Sequence, residues 1–191
     1  MNKYSEILIP SYISRRAFFS IPFFFFNSIV AYYYNYQRLT ALMWFLTYTS
    51  IIYWNCPKKM DLIKVIDISM AITTFYTVIF LDSYYFTPQN QFIFWISSTV
   101  CITFEFMNEF WFQQTMYLLK DFEKIETPII QEKEKPRITF EGERLVNIDY
   151  RKIEKGRENI QIASVYLHMF FLHIFPNVVC MYCIINSPVH P

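Results

Sequence analysis

The sequence predicts an all-α fold, a polytopic integral membrane bundle of about five transmembrane helices, on three observations. Of the 191 residues, 54% are apolar, and they fall into long blocks with most of the charge confined to the gaps between them. The chain has only two glycines, which excludes the Gly-rich loops that cradle nucleotide phosphates. Apolar and polar residues do not alternate as in a membrane barrel, so helices are the structure that satisfies the backbone in lipid.

Five apolar blocks give the predicted spans, and they cover residues 17–34, 39–56, 65–81, 91–119 and 160–185. A helix rises about 1.5 Å per residue and the hydrocarbon layer is about 30 Å thick, so roughly 17–25 residues cross it. The fourth block is longer than this, and we expect its last turns to leave the membrane. The pattern does not distinguish one long helix from two shorter ones there. Residues 1–119 are thus predicted to form a four-helix membrane region, and residues 160–191 a last helix with a short tail.

A charged segment, residues 120–159, separates the fourth block from the fifth. It holds ten basic and ten acidic side chains and no long apolar run, so it cannot bury a core of its own. We expect a solvated loop there, or a segment that orders when it binds a partner.

The distribution of Lys and Arg predicts the orientation of the chain in the membrane. With the N-terminus in the cytoplasm or matrix, sixteen of the seventeen basic residues lie on the inner side, and Arg38 alone lies outside. The N-terminus and the 120–159 loop are therefore expected on the inner side and the C-terminus on the opposite side. The identity of the membrane does not follow from this pattern.

Charge and composition narrow the partners of the chain. A formal net charge of +1 provides no basic surface for nucleic acid, so the expected partners are the lipid bilayer and other membrane proteins. The Cys180-x-x-Cys183 pair has no second pair to complete a zinc site, and we interpret all four cysteines as packing residues. The high usage of Phe, Tyr, Ile, Asn and Lys is typical of an AT-rich genome, whether viral, protist or organellar.

Asp67 is the first ionisable residue within a predicted span, where a charge is costly and calls for a partner or a function. One interpretation is an interfacial ion pair with Lys64, three residues earlier. The other is a position inside the bundle. Asp67, Ala71 and Thr74 share one helix face of small or polar side chains, which favours the inward position.

The fourth block carries a polar stripe in which Glu105, Glu109 and Gln113 recur every fourth residue, with Asn108 beside them. One interpretation is that this part of the helix leaves the membrane and is exposed to water. The alternative is a carboxylate pair that faces a cavity and handles a metal ion or a proton.

His168 and His173 lie in the fifth block, and Pro176 follows them. In a regular helix a spacing of five residues places two side chains about 140° apart, so the pair is not expected to share a metal ion. We expect each histidine to bond a neighbouring helix instead. Pro176 is expected to kink the helix and to free carbonyl groups near Leu172.

The stretch Ser50-Ile-Ile-Tyr-Trp54, with Asp67 in the next helix and His168 in the last, resembles the ceramidase-like superfamily. This group includes the alkaline ceramidases, the adiponectin receptors and the haemolysin III-like proteins, which are seven-helix zinc-dependent membrane proteins, some of them amide hydrolases. Their pattern is Ser-x-x-x-His in the second helix, Asp in the third and a His pair in the last. The similarity covers residues 49–80.

Three departures from the family pattern qualify this resemblance. Trp54 occupies the ligand position of the second helix, the two histidines are five residues apart instead of four, and two helices are missing. The resemblance therefore implies a degenerate relative that has lost its metal.

Two functions remain open from the sequence. The leading interpretation is a non-enzymatic multi-pass membrane protein, a supporting or interaction subunit of a membrane assembly, with no cofactor and no metal. The alternative is a ceramidase-like metal-dependent hydrolase or a small transporter with a polar site in the inner half of the bundle. The candidate catalytic residues for that alternative are Ser50, Asp67, Glu105, Glu109 and His168.

Overall fold

A computed structural model describes residues 10–55, 57, 62–133 and 155–187 of the chain. All regular secondary structure in these residues is helical, in agreement with the predicted all-α class. Helix α1 is a single turn that continues as a 3-10 helix, and α2 to α6 are longer. Their bounds are α1 Ser11–Ser14 with the 3-10 segment Arg15–Phe19, α2 Pro22–Tyr33, α3 Gln37–Asn55, α4 Leu62–Tyr85, α5 Pro88–Lys133 and α6 Lys155–Ile185.

Proline and cap residues explain where several helices begin and end. Pro22 and Pro88 stand at the first turns of α2 and α5, where the missing N–H group leaves no helical bond unmade. Thr87 caps α5, because its hydroxyl accepts a hydrogen bond from the backbone N–H of Asn90 at 3.3 Å. Asn35 adopts a left-handed conformation with φ 64°, which asparagine tolerates, and it turns the chain from α2 into α3.

Two helices contain a wider, π-helical turn, in which the hydrogen bonds run from residue i to residue i+5. In α4 this turn covers Val78–Asp82 and is followed by a 3-10 turn, Ser83–Tyr85. In α6 it covers Met169–Ile174. Pro176 accounts for the wide turn in α6, because it cannot donate to the carbonyl of Leu172 and its ring would clash with that group in a regular helix.

Each of the five predicted blocks forms a helix, although three bounds differ from expectation. The first block does not form one helix from residue 17, because a 3-10 segment ends at Phe19 and α2 begins at Pro22. The fourth block is one continuous helix of 46 residues that extends into the predicted loop as far as Lys133. Helix α6 already includes Lys155, five residues before the predicted start at residue 160. Residues 134–154 of the predicted loop lie outside the described part of the chain.

Within the described residues, two helices are long and apolar enough to cross a membrane, Leu62–Tyr85 and Lys155–Ile185. Helix α2, with 12 residues, is too short by this measure. Helix α3 is long enough, but its mean hydropathy is too low, because its Tyr and Trp side chains are only weakly hydrophobic and its first turn contains Arg38. The prediction of about five spans therefore stays a prediction.

The chain divides into two compact units. The first comprises Met1–Glu105 with Val165–Pro191, and the second comprises Phe106–Ser164. Within the first unit, α2 packs against α3 and against the last turns of α6, and α3 also packs against α4. Within the second unit, the Asn108 side chain of α5 donates a hydrogen bond to the Ser164 carbonyl of α6 at 3.2 Å.

Polar side chains fill much of the interior of the first unit. The only fully buried residues of the regular part of α4 are Asp67 and Thr74. Helices α2 and α6 are joined by two buried amides, because Asn27 Nδ2 donates to Asn177 Oδ1 at 2.7 Å. Asn177 Nδ2 in turn donates to the His173 carbonyl at 2.7 Å, next to the π-helical turn. An inter-helix amide pair of this kind links the two helices in a fixed register.

We predict that Asn177→Ala lowers the free energy of unfolding by about 1–3 kcal/mol, because it leaves the buried Asn27 amide without its acceptor. Asn186→Ala is the matched control, since Asn186 makes the same type of bond four residues back along α6, to the Tyr182 carbonyl at 2.9 Å, but is exposed. Denaturation of both variants in the same mild detergent measures the difference. Equal, small effects would contradict an interior held by the amide pair.

Candidate functional site

Asp67 on α4 lies inside the first unit and accepts two hydrogen bonds from α3. The hydroxyl groups of Thr49 and Ser50 both donate to Asp67 Oδ1, each at 2.8 Å. Thr49 and Ser50 are neighbours in the sequence, and both are buried. The structure thus places Asp67 inward, on the face it shares with Thr74, and not in an interfacial pair with Lys64.

Glu105 on α5 and His168 on α6 form the second polar pair of the site. His168 Nδ1 lies 2.7 Å from Glu105 Oε1, and both side chains are mostly covered. Since a carboxylate can only accept, the Nδ1–H group of His168 donates. The acidic stripe of the fourth block therefore contributes one carboxylate to this site, and that carboxylate orients an imidazole.

His173, also on α6, is buried and bonds Ser20, which lies between the 3-10 segment and α2. The Ser20 hydroxyl lies 2.7 Å from His173 Nδ1 and donates to the Ala17 carbonyl, also at 2.7 Å. With the single hydroxyl hydrogen assigned to the bond to Ala17, Ser20 Oγ accepts from the Nδ1–H tautomer of His173. The Phe24 ring packs on the same imidazole with a centroid distance of 4.6 Å.

The two histidines lie side by side, and the prediction that they diverge by about 140° is wrong. Their ring centroids are 5.0 Å apart. The π-helical turn Met169–Ile174 is the physical reason, because its turn is wider than that of an α-helix and brings residues five apart onto one side. A spacing of five residues corresponds to about 140° only in a regular α-helix, and the π-helical turn changes that period.

Both imidazoles have the same tautomer in their neutral form. Each uses its Nδ1–H group in a bond to Glu105 or Ser20, so each Nε2 carries a lone pair. Metal-binding histidines are commonly oriented in this way, by a carboxylate or another acceptor on the second ring nitrogen. The arrangement can therefore accept two hydrogen bonds or offer two nitrogen ligands.

Trp54 on α3 packs against both histidines. Its ring centroid lies 5.2 Å from that of His168 and 6.3 Å from that of His173. Its indole N–H is buried and has no hydrogen-bond partner within the described residues. An indole cannot coordinate a metal, and no group of three metal-binding side chains occurs in the part of the chain that the structure covers. These residues do not fit the zinc ion that the ceramidase-like resemblance would require.

The remaining candidates lie elsewhere. Glu109 belongs to the second unit and is exposed, and its Oε1 accepts a hydrogen bond from Gln113 at 2.7 Å. This matches the interpretation of a wet helix end better than that of a carboxylate pair. Cys101, Cys180 and Cys183 are buried free thiols, and Cys56 lies outside the described residues. Ser50, Asp67, Glu105 and His168 all belong to the first unit, in which Asp67 bonds Ser50, His168 bonds Glu105, and Asp67 also interacts electrostatically with His168.

Sequence reasoning missed Ser20 and Thr49 as members of the site. Ser20 comes from an irregular turn, and no periodic pattern connects it with His173, more than 150 positions later. Thr49 precedes Ser50 directly and could have been found, because two adjacent hydroxyl residues facing an inward carboxylate can both donate to it. Pro176 was the signal for the π-helical turn and hence for the paired histidines.

Comparison of the chain with protein-family models, with curated proteins and with solved structures yields no match.

We predict that Asp67→Ala lowers the free energy of unfolding by about 1–3 kcal/mol, because it deprives the buried Ser50 hydroxyl of its acceptor and leaves the Thr49 hydroxyl with only the Leu46 carbonyl at 3.2 Å. Lys64→Ala, one turn earlier on the same helix, removes a long side chain without touching that acceptor. Chemical denaturation of the two variants under identical conditions compares them. A Lys64 effect as large as that of Asp67 would speak for an interfacial ion pair and against the buried network.

Proposed function

We propose that the protein is a non-enzymatic multi-pass membrane protein, a supporting or interaction subunit whose helices are held together by an internal polar network. The observation that carries this proposal is the inverted polarity of α4. Its regular part buries Asp67 and Thr74, while Leu62, Ile72 and other apolar side chains point outward.

The outer surface of α4 has the character of a lipid-facing surface. Side chains spaced along its whole length are more than one-third exposed: Leu62 71%, Val65 60%, Ile68 46%, Ile72 51%, Tyr76 56% and Phe80 55%. A core helix of a water-soluble protein would be mostly buried. In the most apolar 18-residue stretch of each helix, only 17% is buried in α4 and 33% in α6. In water such an apolar stripe would promote aggregation, whereas in lipid it is an ordinary contact surface.

The internal hydrogen bonds suit a bundle in lipid. Apolar side chains gain little there by packing on each other instead of on lipid chains, so polar contacts and close packing hold helices together. Such contacts tie α3 to α4 through Ser50 and Asp67, and α2 to α6 through Asn27 and Asn177. The Glu105–His168 pair adds α5 to the same network.

A bundle of about five spans remains our interpretation of the whole chain. Helices α2, α3 and α5 carry many exposed aromatic residues, among them Tyr33, Phe45 and Phe92, which suit lipid tails and the membrane interface. Bulky outer faces of this kind also suit lateral contact with other membrane proteins. From the distribution of the basic residues we infer that the N-terminus and the 120–159 segment face the inner side and the C-terminus the opposite side.

The proposal predicts a specific labelling pattern in cells. In a variant without native cysteines, a cysteine placed within residues 134–154 should react with an impermeant thiol reagent only after permeabilisation. One added after Pro191 should react without it, and the protein should stay in the membrane during alkaline carbonate extraction. Release by carbonate would contradict an integral protein, and two cysteines on the same side would contradict an odd number of spans.

The alternative function, a ceramidase-like metal-dependent hydrolase or a small transporter, has one observation in its favour. The rings of His168 and His173 are adjacent, each uses Nδ1 in a hydrogen bond so that Nε2 can serve as a ligand, and His168 interacts electrostatically with Asp67. Trp54 weighs against it, because the indole occupies the place where a third imidazole would complete a zinc site.

The resemblance makes a prediction for Trp54→His. This variant should bind about one zinc ion per chain, because it adds a third imidazole to the pair on α6, and further replacement of His168 by Ala should abolish that binding. Elemental analysis after dialysis measures both. If Trp54→His binds no zinc, the ceramidase-like relationship loses its support. If the unmodified chain itself holds zinc that His168→Ala removes, the hydrolase becomes the better proposal.

A further inference from the structure

A second polar site lies where α4 ends and α2 turns into α3. A partly open cavity of about 120 Å³ is lined there by Asn35, Tyr36, Gln37, Arg38 and Asp82. It shares no residue with the Asp67 and histidine cluster. All five lining residues belong to the first unit of the chain.

Two buried polar atoms at this cavity have no partner within the described residues. Asp82 and Tyr36 are both only 1% exposed. Asp82 Oδ1 accepts a hydrogen bond from Arg38 at 3.3 Å, but Asp82 Oδ2 is buried and unpaired, and so is the hydroxyl of Tyr36. An unpaired buried group of this kind costs free energy, so a ligand or water that pairs it is favoured.

The chemistry of the unpaired atoms defines what can bind. Burial raises the pKa of Asp82, while the charge of Arg38 and its hydrogen bond lower it and favour the ionised form. In that form Asp82 Oδ2 can only accept, so the ligand must donate. Burial, and then the negative charge of Asp82, raise the pKa of Tyr36, so its hydroxyl stays protonated and can accept as well as donate. A primary ammonium group, with three N–H bonds, can serve both oxygen atoms.

The charges of the site favour a zwitterion over a simple amine. Arg38 already balances the charge of Asp82, so an isolated ammonium would leave the cavity with a net positive charge. The Arg38 side chain is 55% exposed and keeps N–H groups at the mouth of the cavity, where a phosphate can bind. A ligand with an ammonium group inside and a phosphate outside leaves the site electrically balanced.

The hydrogen bonds that the cavity offers select the kind of ammonium group. A primary ammonium has three N–H bonds, whereas a trimethylammonium group has none to donate to Asp82 Oδ2. Arg38 lines the same small cavity as Tyr36 and Asp82, so a short link is enough to join an ammonium at Asp82 to a phosphate at Arg38.

We propose that this cavity binds an aminoethyl phosphate group, with its ammonium on Asp82 and Tyr36 and its phosphate on Arg38. The group occurs as the headgroup of phosphatidylethanolamine and as free phosphoethanolamine. The lipid source rests on the proposed function, which sets the ends of these helices at the membrane interface. The exposed rings of Tyr32, Tyr33 and Tyr84, near the same helix ends, suit that depth.

The first test measures lipid retention. The full chain is reconstituted into vesicles of equimolar phosphatidylethanolamine and phosphatidylcholine and extracted in mild detergent, and the lipids that stay bound are quantified by mass spectrometry. We expect roughly tenfold enrichment of phosphatidylethanolamine, as for one hydrogen-bonded charge pair. Asp82→Asn should abolish the enrichment.

Tyr36→Phe keeps the test valid if Asp82→Asn fails to fold, because it removes only an unpaired buried hydroxyl and should not lower the melting temperature. It should reduce the enrichment severalfold. Tyr33→Phe, which alters an exposed tyrosine close by in the chain, should have no effect. Equal retention of the two lipids by a folded, inserted protein would overturn the lipid source.

The second test titrates free phosphoethanolamine and phosphocholine into the detergent-solubilised chain by calorimetry. Binding of phosphoethanolamine alone, weakened in Tyr36→Phe, would support the site with a soluble ligand even if the protein does not insert into vesicles. Failure to insert would refute the proposed function and leave this test standing. If neither the lipid nor the free compound binds, the cavity holds water only and the proposal is wrong.

Discussion

The structure depends on one interaction above all, the hydrogen bonding of buried polar side chains between different helices. Asp67 is bonded in this way to Ser50 and Thr49, and His168 to Glu105. In each case the partner sits on a different helix, so the bonds also fix how the helices are registered. The outer face of α4 is apolar along its length, and this is the feature on which the proposal of a lipid environment depends.

The π-helical turn in α6 shows how a single residue shapes the polar interior. Pro176 removes one backbone donor, and the wider turn over Met169–Ile174 accommodates that loss. The same widening brings His173 beside His168. Trp54 packs against both imidazoles, so the neighbour of the two possible ligands is an indole, which cannot bind a metal ion. This combination accounts for a cluster that resembles a metal site in layout but lacks its ligand set.

Much of the helical layout follows from the sequence, because long apolar blocks and their proline boundaries act locally. The inward position of Asp67 also follows, since Thr74 marks the same face. The pairing of His168 with His173 does not follow from a regular period, because the helix changes its pitch between them. The bond between Ser20 and His173 and the unpaired atoms of Asp82 and Tyr36 depend on contacts between distant parts of the chain, which no local pattern encodes.

The most direct test of the account is a nitroxide scan along α4 in vesicles. Spin labels at Ile68, Ile72 and Tyr76 should collide readily with oxygen, which partitions into lipid, and hardly at all with a water-soluble nickel complex. A label at the buried Thr74 should be protected from both. If the labels at all three outward positions collide freely with the nickel complex, the apolar face of α4 is in water. The proposal that this face contacts lipid is then wrong.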